Sequence, residues 1–80
     1  MADKAVLQDW VVEALRELGG SGSVLQVSEV VWRRHELDLR ASGALFYTWQ
    51  YDIRWAAQKL RDSGVLKAMD EGRAGPWRLA

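Results

Sequence analysis

Apolar residues recur along this chain at helical spacing in three separate runs. Leu7, Val11, Ala14, Leu15 and Leu18 form one stripe, which predicts a helix over about 4–18. Asp3 is a candidate N-cap for it, and Gly19-Gly20 a stop signal. The segment "GGSGS" reads as a flexible turn, too short to link two domains. Ser23 followed by Gln26 matches a capping box and opens a second helix over about 24–36, with Val24, Val27, Val30 and Val31 inward. It ends in the basic stretch "WRRHELDLR", which trails into a loop around "RASG". Leu45, Trp49, Ile53, Ala56, Ala57 and Leu60 define the third and clearest stripe, a helix over about 45–62 that stops at Ser63-Gly64. "VLKAM" and "PWRL" then read as two short strands joined by "DEGRAG", a hairpin over about 64–79. Within the returning strand Trp77 and Leu79 face inward while Arg78 points out.

The expected fold is therefore mainly α with a small β-hairpin, in a single domain spanning residues 1–80. Three helices followed by a hairpin is the order of a three-helix winged helix-turn-helix, whose third helix usually lies in the major groove of DNA. Composition agrees with one small folded unit. At 80 residues and 49% hydrophobic content, with five Trp, the chain can bury one modest core. With no Cys, disulfides and thiolate metal sites are excluded. No stretch reaches the ~18 apolar residues that span a bilayer, and the start does not read as a signal peptide. A soluble, cytoplasmic protein is expected, nucleoid-associated if it binds DNA.

Charge complicates that expectation. Eleven basic and eleven acidic residues balance to zero, so bulk attraction to phosphate is weak. The balance is uneven along the chain: residues 1–31 carry −3 and residues 32–80 carry +3. Asp9, Glu13 and Glu17 fall four apart on helix one, where like charges repel, so this acidic ridge does not serve helix stability. It reads as solvated surface or as a face for a basic partner.

The residues "IRWAAQKLRDSGVL" followed by "GPWRLA" resemble the N-terminal winged-helix domain of Mrr-type restriction endonucleases. The matching positions are Trp55-Ala56, Leu60, Ser63-Gly64-Val65 and Trp77-Arg78-Leu79, with "ELGGSGSV…SEVV" upstream. Residues 37–50 fit least well. The resemblance implies DNA binding within a restriction or regulatory system, such as transcription regulation. The nuclease chemistry of such a system needs an E-x-K or D-x-K arrangement, and this chain has none.

Catalysis has little else to stand on. His35 is the only His, and neither Cys nor a second His can complete a metal site or a nucleophilic dyad. No enzyme, cofactor or metal is expected. On a wheel centred on Ile53, Arg54 and Arg61 flank the core face on one side and Lys59 on the other. Thr48, Tyr51, Trp55, Gln58 and Asp62 fall opposite. Arg forks onto guanine, Gln onto adenine, and Thr or Tyr takes phosphate. The candidate DNA contacts are thus Thr48, Tyr51, Arg54, Gln58 and Arg61, with Arg33 and Arg34 at the end of helix two and Arg73 in the wing. Arg40 joins Arg33 and Arg34, and all three also suit the negative end of a helix dipole. Asp70 and Glu71 weaken the wing as a phosphate contact. Trp55 lies off the core stripe and is expected to close the seam beside Trp77. The partner is double-stranded DNA, with a homodimer or a fused domain adding affinity. The alternative is a winged-helix protein-interaction domain using the acidic first helix and exposed aromatics.

Overall fold

The computed structural model of the chain describes residues 4–68 and 75–80. The Asp3 cap and the wing-tip residues Asp70, Glu71 and Arg73 lie outside them. Three helices, α1 (Val6–Glu17), α2 (Val24–Arg40) and α3 (Ala44–Asp62), surround one core, with short strands β1 (Ser21–Gly22) and β2 (Trp77–Arg78) at its edge. The helix order is as the apolar pattern requires, and a small antiparallel sheet accompanies it.

α1 and α3 end alike. Gly19 and Gly64 take positive φ, 86° and 82°, a region where a side chain is strained. The following amides close back onto the helix, Gly20 N–H to Leu15 O at 2.7 Å and Val65 N–H to Leu60 O at 2.9 Å. Gly19 N–H reaches Arg16 O and Gly64 N–H reaches Arg61 O, which completes a Schellman stop in each case. α2 opens with the full capping box. Ser23 N–H donates to Gln26 Oε1 at 2.9 Å, and Gln26 N–H donates to Ser23 Oγ at 3.1 Å.

Two elements differ from the sequence expectation. α2 runs to Arg40 rather than ending near residue 36. Its backbone leaves helical values at His35 (φ −126°, ψ 19°) and then resumes, which re-phases the helix so that Leu39 is buried and Leu37 exposed. "GGSGS" is not a mere turn: Ser21 and Gly22 pair antiparallel with Arg78 and Trp77, and Leu79 N–H donates to Gly20 O at 2.8 Å. Gly22 suits that position because a Cβ there would come within 2.6 Å of Leu18 Cδ1. The expected pairing of the two late strands is present at its base. Leu66 bridges Leu79, while Lys67 N–H to Arg78 O and Ala80 N–H to Val65 O, both 2.9 Å, flank the bridge.

All six α3 residues of the predicted stripe are buried, and α1 packs on them through Leu7, Trp10, Val11, Ala14 and Leu15. Trp10, Trp49 and Trp77 are core residues, whereas Trp32 and Trp55 pack against the core half-buried. Trp55 carries Lys4 Nζ over its ring at 4.3 Å. The cation over Trp77 is Arg61, at 5.9 Å. Trp55 thus covers the approach to α1, and the seam to β2 is closed by Arg61.

Candidate nucleic-acid interface

α3 presents one continuous outward stripe at four- and three-residue steps: Tyr47, Tyr51, Arg54, Gln58 and Arg61. Tyr47 and Tyr51 are 84% and 77% exposed, far more open than an aromatic ring ordinarily is. Arg54 donates to the Gln50 carbonyl at 3.3 Å and Arg61 to Gln58 Oε1 at 3.2 Å. Neither guanidinium has a carboxylate partner among the described residues. Gln58 Nε2 donates to Asp62 Oδ1 at 3.0 Å, so one acid sits at the stripe's lower end.

Thr48 does not join this stripe. Its hydroxyl donates to Asp52 Oδ2 at 2.7 Å, and the two residues lie at helical spacing with Trp55 and Lys59 on the neighbouring face. Of the α3 candidates the structure gathers Tyr51, Arg54, Gln58 and Arg61. It adds Tyr47, whose place four residues before Tyr51 was the available signal.

Arg33 and Arg34 are placed elsewhere, against α1. Arg34 Nε and Nη2 hold Glu17 Oε1 at 2.9 and 2.8 Å, and Arg34 Nη1 lies 3.7 Å from Glu13 Oε1. Arg33 Nη2 bonds the other Glu17 oxygen. His35 continues the seam: its ring stacks on Trp10 with centroids 3.9 Å apart, and Nε2 is 2.7 Å from Glu13 Oε1. Two carboxylates of the acidic ridge are thus matched by α2 within the chain. The hydrogen bond from Arg34, reinforced by Arg33, holds the Glu17 carboxyl below the usual carboxylate range.

β2 and the segment facing it supply two further cations. Antiparallel pairing sets Lys67 opposite Arg78, on the face away from the buried Leu66 and Trp77, and both are exposed. Arg61 over Trp77 puts the end of the α3 stripe beside this strand. No group of His, Cys, Asp or Glu suited to a metal occurs among the described residues. Among the described residues no helix is long and apolar enough to cross a membrane. No family model, curated protein or solved structure matches the chain.

Proposed function

We propose that this chain is a winged-helix DNA-binding module that reads duplex DNA with α3 and steadies it with the base of the wing. The observation that carries the reading is the α3 stripe, where Arg54 and Arg61 have no carboxylate partner among the described residues and stand beside the exposed Tyr51 and Gln58. From Tyr47 to Arg61 the stripe runs about 21 Å at ~1.5 Å per residue. A major groove is about 12 Å wide, so the central Tyr51, Arg54 and Gln58 meet base edges. Tyr47 and Arg61 then reach the backbones at either rim, with Lys67 and Arg78 following from the sheet. A role within a restriction or regulatory system belongs to the same proposal.

A protein-interaction role through the acidic α1 has less support. Glu13 and Glu17, two of its three ridge carboxylates, are already engaged by Arg33, Arg34 and His35.

The test is an amide-resolved NMR titration with a mixed-sequence duplex at low and at physiological salt. Shifts along residues 47–61 and at Lys67 and Arg78, fading as salt rises, are expected. Arg54→Ala should weaken binding by about 1–3 kcal/mol if it forks onto a base, whereas Arg61→Ala should weaken binding to all sequences alike and flatten its salt dependence. Absence of shifts at low salt, where nonspecific binding is strongest, rejects DNA binding.

A further inference from the structure

We propose that the cleft between α2 and α3 seats an arginine-bearing segment of a partner protein. This goes beyond the DNA reading and uses the flank of α3 next to the stripe, where the Phe46 ring lies 5.1 Å from that of Tyr47. The cleft encloses about 370 Å³ and is lined by Leu25, Glu29 and Trp32 of α2 and by Phe46, Trp49 and Gln50 of α3. Its aromatic wall is ordered: Trp32 stacks on Trp49 with centroids 5.9 Å apart and planes 8° apart, and Phe46 leans on Trp32 at 6.4 Å.

The fold already shows what this wall accepts. Arg40 lies over Trp32 at 5.2 Å and over Phe46 at 5.8 Å, while its Nε donates to Glu36 at 2.7 Å. Ring, guanidinium and carboxylate form one unit. Glu29 lies one turn before Trp32 on α2 and lines the same cleft. Glu29 has no cationic partner among the described residues. One turn further back Leu25 is 67% exposed and lines the same cleft. Glu29, Trp32 and Leu25 thus ask for a guanidinium beside an apolar side chain. Arginine fits better than lysine because its plane stacks on an indole while its fork meets a carboxylate. Glu29 would repel a phosphate, so the occupant is a protein segment rather than nucleic acid.

The probe is a blocked peptide, Ac-Gly-Leu-Arg-Leu-Gly-NH2, titrated into the whole chain and followed by NMR, against a twin carrying neutral citrulline. Saturable shifts at the Trp32 and Trp49 indole N–H groups and at the Glu29 and Gln50 amides are expected. Citrulline should cost about fivefold or more in affinity, and Glu29→Gln should cost the arginine peptide a similar factor. Equal binding of the two peptides, no effect of Glu29→Gln in a variant with an otherwise unchanged spectrum, or no shift at millimolar peptide would each overturn the proposal. So would concentration-dependent dimerisation through the same resonances without peptide, which assigns the cleft to a second copy. The citrulline and Glu29→Gln comparisons leave Arg54 and Arg61 untouched, and the arginine variants leave Glu29 and Trp32 untouched, so either proposal can fail without the other.

Discussion

Arg34 and Arg54 are the same residue type on neighbouring helices, and their surroundings give them opposite tasks. Arg34 spends its charge on Glu17 and Glu13 of α1, whereas Arg54 donates only to a backbone carbonyl. A sequence shows both as exposed arginines of a helix-turn-helix. The pairing that separates them spans about seventeen residues, beyond the reach of any local pattern. Glu17 makes the difference measurable. Its folded carboxyl titrates below its ordinary value of 4.5, so it stabilises the fold above that pH and loses the contribution as pH falls through the lowered value. Glu17→Gln should therefore be less stable than the parent at pH 7, by a small margin because the pair is solvent-facing. The margin should close as both are brought through and below the lowered value. Thermal unfolding of the two proteins across that range is the check, and a margin independent of pH would mean that Glu17 acts through packing.

Among the elements, legibility followed how local the determinants were. α3 was readable in full because its six core residues keep one period and its Schellman stop is written in Ser63-Gly64. The start of α2 was equally plain from Ser23 and Gln26. Its end was not. Leu37 and Leu39 stand two apart, a strand-like interval, inside a charged stretch, and only the break at His35 shows which one turns inward. That break occurs at the residue whose ring is stacked on Trp10, a tertiary contact. β1 was hidden for a similar reason: Ser21 and Gly22 have no strand propensity, and their partner lies more than fifty residues away. At the candidate site periodicity set Thr48, Tyr51 and Gln58 opposite the core and Arg54 and Arg61 on its flank, whereas the structure gathers Tyr51, Arg54, Gln58 and Arg61 in one stripe and turns Thr48 to Asp52. The α2 extension predicts an asymmetry between two similar leucines. Leu39→Ala should cost about 2–5 kcal/mol as a fully buried core truncation. Leu37→Ala should fall within about 0.5 kcal/mol of the parent. Denaturant midpoints of the two variants compare them directly, and equal losses would contradict the re-phased end of α2.

At the scale of the whole molecule, zero net charge looks like an argument against DNA binding, but the fold distributes it unevenly. The −3 of residues 1–31 and the +3 of residues 32–80 meet along the α1–α2 seam, where Glu13 and Glu17 absorb Arg33 and Arg34. Arg54, Arg61, Lys67 and Arg78 remain on α3 and the sheet without carboxylate partners among the described residues. Counterion release turns that partition into a number. With Arg54 on base edges, the three phosphate contacts of Arg61, Lys67 and Arg78 give a slope of log affinity against log salt of about −2.7 on B-DNA, and Arg73, if it also engages, brings it to about −3.6. Were Arg33 and Arg34 phosphate contacts as well, the slope would steepen by about 1.8 more. Binding isotherms from 50 mM salt upward, at ~50 to 200 mM where such slopes are well determined, separate the cases. The decisive comparison uses paired variants: Arg61→Gln with Arg78→Gln should flatten the slope by about 1.8, and Arg33→Gln with Arg34→Gln should leave it where it was. The reverse result would place the phosphate backbone on the α1–α2 seam. A slope this shallow also means that one copy holds DNA weakly at cellular salt, so useful affinity requires a second point of attachment. An arginine-bearing partner held in the α2–α3 cleft would supply that attachment from the flank of α3 beside the stripe.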